Sequence, residues 1–287
     1  HLYMKCNLLH INIKKCCYIH FKPTCANDIA NEDEDLLTLN GVVIKRVRET
    51  KFLGVIIDEK LKWNAHTQAL NSKLKCEVGK LCRIRHVIPK QHHKELYYTL
   101  FESHLGFGIS VWGGISNNKL EPIFKTQKKC VRVMFGDKEA YTDKFKTAAR
   151  TRPLDTQKLG NDFYMKEHTK PLFKQNRILT IQNLYKYTCL LEMFKINKLE
   201  SPKSLLNLFH RSPRRTEYFI TTTPASSFIY QSSNMWNTCR KTSSQINFST
   251  STNIMKLKLK TALLEMQSRY DVLEWCELNF DLKELAF

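Results

Sequence analysis

The sequence predicts an α+β fold that is mostly helical, with its strands near the N-terminus. Short β-branched runs lie between residues 36 and 57, and Asn40-Gly41 separates two of them, which predicts a hairpin. Beyond residue 61, apolar residues recur at the three- and four-residue spacing of amphipathic helices. We therefore expect a small N-terminal hairpin and strand region, then a helical bundle, then a mixed C-terminal region with helices and short strands.

The chain divides into four predicted parts. Residues 1–60 carry the strand signals and residues 61–136 the first three helices. Residues 137–175 are polar and less regular, which predicts a connector with a short helix around Leu159 to Lys166. Residues 176–287 form the C-terminal region.

The apolar run from Phe52 to Ile57 predicts a buried strand, with an edge strand that carries Gly54 at a bulge as the alternative. Asp58-Glu59-Lys60 predicts a polar turn after it. Asn64 is the predicted N-cap of the next helix.

Three helices are predicted before residue 137. They run from Asn64 to His86, from Pro89 to Leu105, and from about Leu120 to Gly136. The first has an apolar stripe of Leu70, Leu74, Val78, Leu81 and Cys82, and the third buries Ile123, Phe124, Gln127, Cys130, Val131 and Met134.

In the C-terminal region, Thr180 is the predicted cap of a helix that buries Leu184, Tyr187, Leu191 and Phe194. Tyr218-Phe219-Ile220 and Phe228-Ile229-Tyr230 predict short strands. A last helix carries Met255, Leu259, Leu263 and Met266 on one side.

The charge of the chain indicates an anionic partner. Lys and Arg number 46 against 27 Asp and Glu in 287 residues, a net charge of +19. Nucleic acid is the first expectation, because such charge attracts phosphates without base contacts. We expect no membrane association, since the sequence shows neither a lipidation signal nor an apolar run of about 18 residues. An intracellular location, cytoplasmic or nuclear, follows from the lack of a signal peptide.

Several motifs in order along the chain resemble one family. Lys51-Phe52-Leu53-Gly54-Val55-x-Ile57-Asp58, followed by Leu61-x-Trp63-x-x-His66, resembles the segment after the palm subdomain in reverse transcriptases of non-LTR (LINE-type, jockey-like) retrotransposons. Further similar strings are Asn7 to Lys15, Gly108 to Gly113, Gln127 to Arg132, Pro171-Leu172-Phe173 and Trp236-Asn237. Cys16, Phe107 and Cys239 depart from the family pattern.

The resemblance implies that residues 1–60 are the end of the palm with a primer-grip-like hairpin, and that residues 61–136 are a helical thumb-like domain. The strand with Leu53-Gly54 would belong to the primer grip, which holds the primer end. The partners of the chain would be RNA and DNA, as primer–template. Lys15 would lie near the phosphates of the incoming nucleotide, or would be a solvated lysine at a helix end. Together with the basic helix faces, whose alternative is plain solvation, the predicted nucleic-acid-binding residues are Lys15, Lys45, Arg46, Arg48, Lys51, Phe52, Leu53, Gly54, Trp63, His66, Lys73, Lys80, Arg83, Lys128, Lys129 and Arg132.

Catalysis is not expected from this chain alone. The family's Tyr/Phe-Ala-Asp-Asp signature is absent, so the carboxylates that hold two Mg²⁺ ions in the full-length polymerase would belong to a preceding N-terminal portion, a view that His1 as first residue favours. Ten cysteines without a C-x-x-C pair predict no metal site, and no cofactor is expected. Two alternatives remain: a non-catalytic basic nucleic-acid-binding module or degenerate transposon remnant, and a helical adaptor for acidic proteins.

Overall fold

The computed structural model describes eight stretches of the chain. These are residues 6–8, 11–21, 37–39, 41–136, 169–210, 219, 227–242 and 251–269, the last few residues of the stretch 227–242 and residue 269 by their backbone only. The predicted short helix around Leu159 lies outside the described residues, as does most of the predicted connector. The predicted α+β, mostly helical fold is confirmed. The chain forms two compact units, residues 1–69 and residues 70–287, and their boundary falls inside a helix.

The described residues of the first unit form six short strands that pair two by two. Strands β1 and β4 pair in parallel, β2 and β3 form the predicted hairpin around Gly41, and β5 and β6 form a second antiparallel hairpin. Their bounds are Cys17–Tyr18, Thr38–Leu39, Val42–Val43, Lys45–Arg46, Glu49–Phe52 and Val55–Asp58.

The hairpin of β5 and β6 turns at Leu53-Gly54, because Phe52 pairs directly with Val55. Leu53 and Gly54 have φ of 46° and 90°, and two positive φ values in a two-residue loop are typical of a type I′ turn. The prediction of one buried strand from Phe52 to Ile57 is therefore wrong. The apolar run concealed the turn, since a leucine occupies the position where Asn or Asp is usual.

The segment after β6 is organised by the carboxylate of Asp58. Its Oδ1 accepts hydrogen bonds from the backbone N–H groups of Lys60 and Lys62 at 3.2 and 2.9 Å, and its Oδ2 accepts one from Trp63 at 2.8 Å. The predicted polar turn is confirmed. Asn64 is the first helical residue and not the N-cap, because the amide of Thr67 donates to the carbonyl of Trp63.

Nine helical segments follow, within the described residues. We number them α1 (Asn64–Ile84), α2 (residues 93–105), α3 (Ile109–Trp112), α4 (Asn117–Phe135), α5 (Lys170–Gln175), α6 (Ile181–Asn197), α7 (Lys203–Leu206), α8 (Phe228–Thr242) and α9 (Thr252–Arg269). Helix α2 contains a π-helical stretch, Tyr97–Glu102, in which the amide of Ser103 donates to the carbonyl of Tyr98. Such wide turns often occur at functional sites.

The second unit holds most of the buried side chains of the described chain, and the predicted inward faces of α1 and α4 contribute to its core beside α6 and α9. All six residues predicted to be buried on α4 are buried, and Gly136 ends that helix as expected. On α1 the predicted stripe is confirmed except for Cys82, which is exposed. Cys82 follows Leu81 by 100° around the helix, which places its side chain beyond the buried stripe.

The loop between α5 and α6 is fixed by two buried glutamines. Gln127 of α4 donates to the carbonyl of Leu179 at 2.9 Å and accepts from the amide of Ile181 at 3.0 Å. Gln267 of α9 donates to the carbonyl of Ile178 at 3.1 Å and accepts from the amide of Thr180 at 3.0 Å. The buried backbone groups of this loop therefore have glutamine side chains as hydrogen-bond partners in place of water.

Two predictions in the C-terminal region have opposite outcomes. Thr180 caps α6 as predicted, because its hydroxyl accepts from the amide of Asn183. The predicted strand Phe228 to Tyr230 is wrong, since these residues begin α8. The residues that follow, Ser232, Trp236 and Cys239, are buried at helical spacing, and this longer pattern determines the structure.

In the described parts of the chain, we find no helix that combines the length and apolarity needed to cross a bilayer.

Candidate nucleic-acid interface

The tip of the β5–β6 hairpin is an exposed apolar surface. The side chains of Phe52 and Leu53 are 59% and 78% exposed, and Lys51 beside them is exposed as well. An exposed aromatic ring next to a cation is a surface on which a base can stack while a phosphate is neutralised. We call Lys51, Phe52, Leu53 and Gly54 the hairpin tip.

Other basic residues predicted to bind nucleic acid lie in the same unit. Lys45 and Arg46 form β4, which pairs with β1, and the amide of Val47 donates to the carbonyl of Tyr18 at 2.9 Å. Lys45 and Arg48 are exposed, and Arg46 is half-buried. Lys15 is exposed on a short 3₁₀ turn, Ile13–Lys15.

Trp63 and His66 are buried and hold the hairpin against the start of α1. Nδ1 of His66 accepts a hydrogen bond from the amide of Ile56 at 3.3 Å, and the ring is 6% exposed. Burial lowers the pKa of His66, which favours the neutral ring that this acceptor role needs. Because both side chains are buried, they can influence the binding of a nucleic acid by positioning the hairpin.

Helix α1 carries a basic strip on its outer face, within the second unit. Lys73, Lys80 and Arg83 are exposed, and rotation of 100° per residue places them within about 80° of one another. Lys80 is paired with Glu77 at 2.8 Å, and Nε of Arg83 donates to the carbonyl of Gly79 at 3.3 Å. We call these three residues the α1 strip.

Helix α4 presents a second basic group. Lys129 is exposed, whereas Lys128 and Arg132 are half-buried. Nζ of Lys128 lies 4.5 Å from the centroid of the Phe124 ring, a cation–π contact. The ammonium of Lys128 is therefore partly engaged within the unit.

Two residues that the sequence reasoning missed join α1, α2 and α4. The guanidinium of Arg85 donates to the carbonyl of Val133, and Nδ1 of His93 lies 2.9 Å from the carbonyl of Met134. Nε2 of His93 also lies 3.2 and 3.1 Å from the carbonyls of Arg85 and Ile88. Basic groups therefore satisfy the free carbonyls at helix C-termini. The available signal was a basic residue in the turn after α1.

Among the described residues, no three His, Cys, Asp or Glu side chains converge as the site of a metal ion would require. Burial raises the pKa of the thiols of Cys130, Cys189 and Cys239, to about 12 for the last two, which keeps them protonated and unreactive.

The chain is similar to a polymerase of a mobile element. Over 129 residues, 44% of this chain, it is 26% identical to the RNA-directed DNA polymerase from the mobile element jockey of Drosophila funebris. The matched region spans 13% of that relative's length. No protein-family model matches the chain, and no solved structure matches it. These findings support a relationship to reverse transcriptases of the non-LTR type.

Proposed function

We propose that this chain is the C-terminal part of an RNA-directed DNA polymerase of a non-LTR retrotransposon and that it binds the primer–template. The observation that carries the proposal is the hairpin tip, an exposed aromatic and aliphatic pair beside a lysine, at the position where the resemblance implies a primer grip. The similarity to the jockey polymerase supports the same family.

The charge pattern of the second unit supports nucleic acid as the ligand. The α1 strip and Lys129 of α4 are exposed on helices whose opposite faces are buried. Exposed cations of this kind release counterions when they meet a phosphate backbone, and the affinity then falls steeply with salt. In this proposal the helical unit serves as the thumb.

The first unit supports a further part of the proposal, a polypeptide partner that carries the catalytic carboxylates. Its described residues include only three buried ones, Trp63, His66 and Thr67. Leu37, Val42 and Val43 of the first hairpin are each about half exposed. Isolated two-stranded sheets are marginally stable, so this surface suits contact with the preceding polymerase portion.

The test is binding of a fluorescent RNA–DNA primer–template to the purified full chain at several salt concentrations. We expect Phe52→Ala to weaken binding about fivefold or more, since loss of a base–aromatic contact costs about 1–3 kcal/mol. Leu53→Asn, which removes the aliphatic side chain of the tip, should weaken binding less. Asn suits a type I′ turn, so Leu53→Asn keeps the hairpin while it removes the apolar tip. Leu257→Ala, which truncates an exposed leucine of α9, is the matched control.

Two results would contradict the proposal. The first is a wild-type chain that does not bind primer–template at 100 mM salt. At this ionic strength the Debye length is about 10 Å, so contacts between cations and phosphates are still attractive. The second is robust primer extension with Mg²⁺ by the chain alone, because the proposal assigns the catalytic carboxylates to the preceding portion.

A non-catalytic basic binding module is the second candidate, and the α1 strip favours it independently of any polymerase. The two candidates make different predictions about the role of the hairpin tip in binding. If Leu53→Asn leaves binding unchanged while neutralising Lys73, Lys80 and Arg83 weakens it, the basic module is the better description.

A further inference from the structure

Arg177 occupies a backbone conformation that ordinarily belongs to glycine. It follows α5 with φ of 53°. Its amide donates to the carbonyl of Lys174 at 3.1 Å, and the amide of Ile178 donates to the carbonyl of Phe173 at 3.0 Å. These two bonds are those of a Schellman motif, in which the residue at this position is usually Gly. An arginine in this conformation is under backbone strain. Its side chain is exposed, so burial in the core does not explain why an arginine occupies this position.

Hydrogen bonds link the side chain of Arg177 to α9 and its backbone carbonyl to α2. Its Nη2 donates to the hydroxyl of Thr261 at 3.1 Å. Nζ of Lys260 donates to the hydroxyl of Tyr98 at 3.1 Å and lies 4.9 Å from the centroid of that ring. The Tyr98 hydroxyl in turn donates to the carbonyl of Arg177 at 3.3 Å. Two cations and two hydroxyls are therefore gathered on one surface.

The two cations of this cluster differ from other lysines of the unit in their partners within the described residues. Lys80, Lys125, Lys195 and Lys198 each pair with a glutamate at 2.6–2.9 Å. Among the described residues, no carboxylate forms such a pair with Arg177 or Lys260. Arg177 donates to the hydroxyl of Thr261 and Lys260 to that of Tyr98, and both acceptors are neutral.

The acidic group that faces Lys260 is Glu102, at the end of the π-helical stretch. Burial raises the pKa of Glu102 to about 7, although the charge of Lys260 acts in the opposite direction. Its other titratable neighbours are the phenols of Tyr97, Tyr98 and, from α6, Tyr187. Oε2 of Glu102 is buried without a hydrogen-bond partner in the described structure. Near neutral pH the positive charge of the cluster is therefore only partly balanced.

We propose that Arg177, Lys260 and Thr261, with the hydroxyl of Tyr98, form a phosphate-binding site between α2, the α5–α6 loop and α9. A guanidinium and an ammonium supply charge-assisted hydrogen bonds, and the hydroxyl of Thr261 supplies a neutral one. The hydroxyl of Tyr98 donates its proton to the carbonyl of Arg177 and accepts from Lys260, so its part is to position the ammonium. The ligand class is a phosphate group. That this phosphate belongs to a nucleic-acid backbone rests on the proposed function.

The test uses the full chain with two ligands, inorganic pyrophosphate and a single-stranded RNA oligonucleotide. Arg177→Gly relieves the backbone strain, so we expect unchanged or higher thermal stability together with about five- to tenfold weaker RNA binding. Lys260→Gln should weaken binding similarly. Each should reduce the slope of log affinity against log salt by about one contact. Lys258→Gln, an exposed lysine on the same helix, is the matched control and should have a smaller effect.

Protonation provides a second readout. Ionisation of Glu102 places a negative charge beside the site, so RNA should bind more weakly at pH 8 than at pH 6, and Glu102→Gln should remove this difference. The charge of an RNA phosphodiester does not change over this range, so the effect reports the protein.

The outcomes separate this site from the proposed function. If RNA binds but Arg177→Gly and Lys260→Gln match the Lys258→Gln control, the phosphate site is wrong while nucleic-acid binding stands. If RNA does not bind, but pyrophosphate binds the wild-type chain and not these two variants, the site stands and the proposed function fails. A loss of thermal stability in Arg177→Gly would also contradict the role assigned to Arg177, because the substitution should relieve backbone strain.

Discussion

At the scale of single residues, Glu102 should make stability depend on pH near neutrality. Its pKa is about 7 in the folded chain and about 4.3 when solvated. The folded state therefore holds the proton more tightly, and stability is greatest below pH 4.3 and declines as the pH rises to 7. We expect Glu102→Gln to raise the free energy of unfolding at pH 8 by about 1–3 kcal/mol, with little change at about pH 4, below the pKa of the solvated carboxyl. Urea denaturation at both pH values measures this.

Glu121 provides the control for this pH dependence. It is exposed on α4, and its hydrogen bond with Lys125 lowers its pKa, so its charged form is favoured in the folded state. Glu121→Gln should give no stabilisation at pH 8. An equal gain from both substitutions would show that total charge, and not the burial of Glu102, sets the pH dependence.

The sequence could identify Tyr97 and Phe101 as buried residues, but it could not identify Glu102 as a perturbed acid. Tyr97 and Phe101 fit the spacing of a helix face, and both are buried. Glu102 follows them by one position, where an ordinary α-helix turns a side chain away from the core. The π-helical stretch and the approach of α9 from 160 residues later give it its environment, and neither has a local signal.

At the scale of elements, Gly113 and Gly114 allow α3 to approach α6 and α8 closely. A Cβ on Gly113 would lie 2.5 Å from the carbonyl oxygen of Ile109 and 2.7 Å from Cδ2 of Tyr185. One on Gly114 would clash with Gln231, which hydrogen-bonds to both Tyr185 and the carbonyl of Gly114. We expect each Gly→Ala substitution to lower the free energy of unfolding by about 1–3 kcal/mol through overpacking.

Gly79 is the control for these two glycines. It lies in α1, and a Cβ there would meet no atom within 4 Å. Gly79→Ala should raise the free energy of unfolding by about 0.5–1 kcal/mol, because alanine loses less backbone entropy in a helix. Thermal denaturation of the three variants tests the sign. Stabilisation by alanine at position 113 or 114 would contradict the close packing described here.

Elements with a long periodic pattern could be predicted from the sequence, and short ones could not. The inward face of α4 is confirmed. An amphipathic pattern over the 19 residues of this helix is compatible with few structures other than a helix. Phe228 to Tyr230 is an apolar triplet that suits a strand or a helix equally, and the residues beyond it decide. At the hairpin tip, tertiary pairing imposes a turn on Leu53 that its residue type does not favour.

At the scale of the whole chain, the two units differ in how much they bury, and this predicts unequal protection of their backbone amides. The described part of the first unit is held by short strand pairs, the carboxylate of Asp58 and the buried ring of His66. The second unit buries the faces of α4 and α6 and the glutamine-fixed loop between α5 and α6. Local opening requires less free energy where few apolar contacts are lost.

Hydrogen exchange followed by mass spectrometry should therefore show that amides of Glu49–Phe52 and Val55–Asp58 exchange faster than those of α4 and α6. If the free energies of opening differ by about 3 kcal/mol, the exchange rates should differ by about two orders of magnitude. Primer–template should then slow exchange in the β5–β6 hairpin, because a ligand that binds only the closed hairpin stabilises it by mass action. Leu53→Asn, which keeps the turn but removes the apolar tip, should lose most of that protection. Equal exchange in both units without ligand would contradict the separate stabilities, and protection by primer–template confined to the helical unit would place the nucleic acid away from the hairpin tip.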